Sequence, residues 1–160
     1  MIKSNICFLI PARKNSIRLK NKNLKLFKNK PLIFHTFNLV KKINMLDHTY
    51  ISSNDDKILK LAKENKINIL FKRPENISKS SSSTFSVIKH FLKELKKNDI
   101  RYEYIAILQP TSPLRKASTV KKAYKHCIEN KLNSLISVSY LPFKSKFLIK
   151  PKNNIIYKKD

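Results

Sequence analysis

Two short stretches hold side chains whose types and spacing could handle a phosphate ester. The first runs from Pro11 to Asn23 and carries Arg13, Lys14, Arg18, Lys20 and Lys22 among small polar residues such as Ser16. Backbone N–H groups in such a turn can cradle a triphosphate while the cations neutralise it. Asn15 can take the place of a glycine there, because Asn tolerates left-handed backbone angles. The same stretch also reads as a solvated basic loop in a lysine-rich chain. The second is the octapeptide Leu108-Gln109-Pro110-Thr111-Ser112-Pro113-Leu114-Arg115. Its two prolines fix the backbone and leave Gln109, Thr111, Ser112 and Arg115 to project. Its plainer reading is a strand-to-helix connection with Ser112 as a cap.

Other chemistries find less support. Cys7 and Cys127 lie far apart and form no Cys-x-x-Cys pair, and the four histidines show no zinc-ligand spacing. Cys127, on an expected helix, reads as core rather than nucleophile. No Ser-His-Asp or Cys-His constellation stands out. Among the ten acids, none forms a pair at the end of the fourth or fifth expected strand, where a metal could meet a triphosphate. Asp55 and Asp56 read as helix-capping residues before they read as ligands.

The elements that must position these loops alternate. Asn5 to Ile10, Thr49 to Ser52, Ile67 to Phe71, Glu103 to Leu108 and Ser134 to Ser139 read as strands from their short apolar or β-branched runs. Four helices are expected between them. The first begins at Pro31 with Ile33, Phe37 and Val40 on one stripe, and the second starts near Asp55 and Asp56 with Ile58, Leu61 and Ala62 turned inward. The third follows Ser80 to Ser83 with Ile88, Phe91, Leu92 and Leu95 on one face, and the fourth spans about Ala117 to Asn130. This alternation predicts an α/β fold with a Rossmann-like doubly wound, mostly parallel sheet, whose ligands sit at the carboxyl ends of the strands. That domain is expected over 1–140. After Pro142 the alternation stops, and 141–160 reads as the start of a hairpin, Phe147 to Ile149 and Ile155 to Tyr157, that joins a partner subunit or belongs to a fold cut short.

Composition narrows the partners. The chain has 160 residues and a formal charge of +25, from 35 Lys+Arg against 10 Asp+Glu, with 41% hydrophobic residues and neither Gly nor Trp. Such charge attracts anions. The lysines spread along the whole chain rather than forming one block, and the wealth of Lys, Asn and Ile points to coding bias. No nucleic-acid partner is therefore expected, although a basic nucleic-acid binder remains the reading a gel-shift test would expose. The apolar run Ile6 to Ile10 is far short of the ~20 residues of a membrane span, so a cytoplasmic protein without a membrane partner is expected.

Five ordered blocks, from Cys7 to about Tyr140, resemble the acylneuraminate cytidylyltransferases, which make CMP-activated sialic acids and related nine-carbon acidic sugars. They are Ile10-Pro11-Ala12-Arg13 with Asn15-Ser16 and Lys22-Asn23-Leu24; Lys30-Pro31-Leu32-Ile33; Ile51-Ser52-Ser53-Asn54-Asp55; Arg73-Pro74-Glu75 with the serines after it; and the octapeptide. The resemblance implies a sheet of the nucleotide-diphospho-sugar transferase type and a CTP site formed by Ala12, Arg13, Asn15, Ser16, Lys22 and Asn23, with Arg13 and Lys22 on the phosphates. It puts cytosine and ribose contacts on Arg73, Ser82 and Thr84, and the acidic sugar beside Gln109, Thr111 and Ser112. It further implies Mg²⁺, whose ligands are not in this chain, and a homodimer for the full-length protein. The chain departs from the family pattern where Asn54 stands at an expected acid and Ser80 at another. Two alternatives remain: a cytidylyltransferase for another acidic sugar, and a nucleotide-binding fragment without catalytic activity.

Overall fold

A computed structural model describes residues 5–14, 16 and 19–137. Three parallel strands form the main sheet: β1 (Ile6–Pro11) in the centre, flanked by β4 (Thr49–Ser52) and β5 (Tyr104–Ile107). Phe8 of β1 faces Thr49 on one side and Ala106 on the other. Between β1 and β4 come a small antiparallel pair, β2 (Leu26–Phe27) and β3 (Lys30–Pro31), and helix α1 (Leu32–Lys42). Helices α2 (Asp56–Glu64) and α3 (Thr84–Lys97) connect β4 to β5, and α4 (Ala117–Glu129) follows.

The order β4-β1-β5 makes the fold doubly wound. The chain leaves β1 for one edge, then crosses back over it to the other, and right-handed crossovers in opposite directions put their helices on opposite faces. Residues Ile6 to Ile10 are all buried, as a strand covered on both faces requires. On one face Cys7, Leu9 and Tyr50 pack against Val87, Phe91 and Leu95 of α3. Each such side chain, fully buried, contributes roughly 1.5–3 kcal/mol. The α3 stripe is thus shifted from the expected one: Val87 is buried, while Leu92 is 49% exposed.

Two expected strands are not strands. Between 67 and 71 only Asn68 makes a bridge, to Tyr50. Its backbone pairs with Thr49 and Ile51, and its side-chain amide donates to Leu46, Asp47 and Thr49 carbonyls, after which the segment leaves β4. The chain returns to the end of β4 at Arg73, whose N–H donates to the Ser53 carbonyl at 2.8 Å. Residues 134–137 have no regular structure, and Ile136 is 83% exposed. The rest of that expected strand and the whole 141–160 hairpin lie outside the described residues.

The chain has no glycine, yet its turns need left-handed backbone. Lys28 (φ 48°) and Asn29 (φ 61°) supply it between β2 and β3, the two-residue hairpin geometry in which both central residues take positive φ. Asn44, Lys66, Asp99 and Lys131 supply it just past the four α-helices.

Residues 1–121 and 122–160 are two compact units. The first holds the sheet. In the second, the described residues are the later part of α4 and the irregular segment after it. No helix among the described residues is long and apolar enough to cross a membrane.

Candidate functional site

Connections that diverge from a central strand leave a crevice at its carboxyl end. Here that crevice lies beyond β1 and β5, which end in the basic loop and the octapeptide. A cleft of about 410 Å³ opens there, within the range of small-ligand sites.

The basic loop is tied down at several points. Ala12 continues the β1–β4 pairing, its N–H donating to the Ser52 carbonyl at 2.9 Å. Ala12 is buried and does not line the cleft, so it contributes backbone rather than a contact surface. Arg13 lines the cleft, and its Nη1 donates to the Lys79 carbonyl at 2.6 Å. Buried Asn23 donates through Nδ2 to the Arg13 carbonyl at 3.2 Å, and Ser16 and Lys22 complete this wall. Asn15 lies outside the described residues.

Arg73 forms the floor and is 5% exposed. Its Nε donates to Ser52 Oγ at 2.9 Å and its Nη2 to the Ser52 carbonyl. Burial, with Arg13 nearby, pushes its pKa down to about 10, so it stays charged at neutral pH. Among the described residues, no carboxylate pairs with Arg13, Lys22 or Arg73. A buried cation hydrogen-bonded only to neutral oxygens is costly unless an anion joins it.

Ser82 and Thr84 line the opposite wall with Ser80 and Ser83. Ser83 caps α3 by accepting from the Ser86 N–H at 3.1 Å. The wall therefore carries the positive end of a 14-residue helix. Gln109 and Thr111 bring in the octapeptide, with Thr111 Oγ1 3.4 Å from Gln109 Oε1. Ser112 does not line the cleft; its N–H donates to the Gln109 carbonyl, which makes it part of the turn. Sequence reasoning missed Lys79, whose carbonyl holds Arg13. It also passed over Ser80 and Ser83 as ligand contacts, although both belong to the serine run.

The acids near the cleft are spent elsewhere. Asp55 caps α2 by accepting from the Lys57 N–H at 2.9 Å, and Asp56 pairs with Lys72 at 2.6 Å. Among the described residues no carboxylate lines the cleft, and no group of three His, Cys, Asp or Glu could hold a metal ion. These residues alone do not fit Mg²⁺. Burial raises the Cys7 thiol to about 12, so it stays protonated and is no nucleophile.

Comparison with known proteins identifies the family. The family model described as "Cytidylyltransferase" matches residues 7–153. The pseudaminic acid cytidylyltransferase of Campylobacter jejuni (serotype O:2) is 28% identical over 153 residues, covering 94% of this chain and 66% of that protein. The N-acylneuraminate cytidylyltransferase of Streptococcus agalactiae (serotype V) is 30% identical over 136 residues, covering 84% and 32%. A solved CMP:2-keto-3-deoxy-manno-octonic acid synthetase, complexed with CTP, superposes with a TM-score of 0.63 at 17% identity, over 79% of this chain and 48% of that one. The chain thus spans about two thirds or less of the length of each.

Proposed function

The chain belongs to the cytidylyltransferase family, and from that premise we propose that its cleft binds CTP and serves transfer of CMP to the anomeric hydroxyl of a sialic acid-like, nine-carbon acidic sugar. The observation that carries the reading is the meeting of Arg13, Lys22 and buried Arg73, none paired with an acid among the described residues, in one cleft with Gln109. Arg13 and Lys22 hold the phosphates, and Arg73, Ser82 and Thr84 face the base and ribose. Gln109 and Thr111 orient the sugar.

In the reaction the anomeric oxygen attacks the α-phosphorus in line. A new P–O bond forms, the bond to the β-phosphate oxygen breaks, pyrophosphate leaves and the hydroxyl proton is released. These residues contribute chiefly by alignment and by stabilising negative charge on the phosphates. Mg²⁺ belongs to the proposal only as the family reading implies it, since the cleft's own residues do not fit the ion.

Calorimetric titration with CTP, ATP and GTP tests the nucleotide half, with CTP expected to bind tightest; equal affinities would overturn the base site. Calorimetric titration of N-acetylneuraminic acid, pseudaminic acid and an eight-carbon 3-deoxy sugar acid into the CTP-loaded chain tests the acceptor half. Preference for the eight-carbon acid would move the assignment to another acidic sugar.

A further inference from the structure

Asn54 stands behind the cleft rather than in it. It follows β4, is 7% exposed, and joins two segments that are 61 residues apart in the chain, Lys14 and Glu75. Its Oδ1 accepts from the Lys14 backbone N–H at 2.9 Å, and its Nδ2 donates to both carboxylate oxygens of Glu75, at 3.0 and 3.1 Å. The neighbours fix this orientation chemically: a backbone N–H can only donate and an ionised carboxylate can only accept. An amide offers the required acceptor and donor on two separate atoms of one short side chain. An aspartate would still accept from Lys14 but would set a second carboxylate about 3 Å from the first, a repulsive contact.

Each of the two segments carries a residue of the cleft, Arg13 and Arg73. Lys14 follows Arg13, which holds the Lys79 carbonyl, and Glu75 follows Arg73 by two residues. We infer that Asn54 is a positioning residue that locks the basic loop to the Arg73 segment and so sets the spacing between Arg13 and Arg73. This rests on the nucleotide-site reading for its effect on affinity, while the clamp itself stands on the hydrogen bonds.

Asn54→Asp is expected to weaken CTP binding about tenfold, roughly the loss of one hydrogen bond plus the new repulsion. The double variant Asn54→Asp/Glu75→Gln restores a donor opposite an acceptor with the polarity reversed, and should bind within about threefold of the wild type. Hydrogen exchange at the Lys14 amide reads the clamp with no nucleotide present: slow in the wild type, faster in Asn54→Asp, slow again in the double variant. Circular dichroism establishes that each variant is folded. A folded Asn54→Asp with unchanged Lys14 exchange and unchanged affinity overturns the inference, as does a double variant as impaired as the single one. A wild-type chain that binds no CTP overturns the nucleotide reading alone, and the Lys14 amide then decides the clamp by itself.

Discussion

Arg73 and Arg13 illustrate two ways a cation can be held without an acid. Arg73 is buried, and its rigid fork meets Ser52 through Nε and Nη2 at once. A lysine is a single point charge and cannot repeat that pair of bonds. Arg73→Lys should therefore lower CTP affinity although the charge is conserved, and titration of the two proteins side by side checks it. Among the described residues Arg13 makes one side-chain hydrogen bond, to the Lys79 carbonyl, and it lines the cleft. Arg13→Ala should cost roughly 1.5–3 kcal/mol of CTP binding, the range for a hydrogen bond to a charged group. Lys60→Ala, on an exposed face of α2, should cost little. Equal losses in the two variants would mean that bulk charge rather than the loop binds the nucleotide.

The four α-helices among the described residues end the same way, and the solution is unusual because no glycine is available. After α1 the Asn44 N–H bonds the Lys41 carbonyl and the Met45 N–H bonds Val40; after α2 Lys66 bonds Lys63 and Ile67 bonds Ala62. Asp99 with Ile100, and Lys131 with Leu132, repeat the pattern after α3 and α4. This is the Schellman closure, with an apolar residue following the left-handed one. A side chain in that conformation is strained by about 1 kcal/mol or more. Lys66→Gly should therefore raise stability by about 0.5–1 kcal/mol, whereas Lys60→Gly, inside α2, should lower it by about 1 kcal/mol. Thermal melts of the two variants check for opposite signs. Helix α3 carries a pH effect as well. His90 packs edge-on against Phe71 at 4.6 Å, and burial lowers its pKa below the ordinary 6.5 despite Glu94 nearby. The unfolded chain then binds the proton more readily, so stability is full above pH 6.5 and falls as pH drops toward the folded pKa. His90→Phe should show a flatter decline in melting temperature between pH 7.5 and 5. The same elements show what sequence could reveal. Strands β1, β4 and β5 and the helices were legible because their apolar periods are long enough to read. The β2–β3 pair escaped because two-residue strands have no period and their turn, Lys28-Asn29, lacks the usual glycine. The segment 67–71 misled because Ile67, Leu70 and Phe71 are apolar for packing, while its ladder stops at Asn68. In the site, the basic loop and the octapeptide were legible locally. The contacts of Lys79 with Arg13 and of Asn54 with Glu75 depend on where the chain returns, which local pattern does not encode.

At the scale of the whole molecule, a charge of +25 draws anions of every kind toward the surface, and the cleft must add selectivity to that general attraction. The two contributions separate with salt. Long-range attraction fades once the Debye length shrinks to about 8 Å near 0.15 M, while the buried Arg73 is screened far less. Preference for CTP should therefore survive added salt even as absolute affinity falls. Turnover makes a different demand. Transfer at phosphorus shifts charge among the phosphate oxygens, and the described cleft answers with Arg13, Lys22, Arg73 and the N-terminus of α3 but with no carboxylate to hold a divalent ion. Residues 1–160 should accordingly bind CTP yet form CMP-sugar slowly or not at all, even with Mg²⁺ in excess. Pyrophosphate release, measured beside the longer Campylobacter jejuni relative with the same acidic sugars, checks this. A rate from the 160-residue chain equal to the relative's would show that the cations and the helix end suffice for catalysis, and that the absence of a carboxylate from the cleft is no handicap.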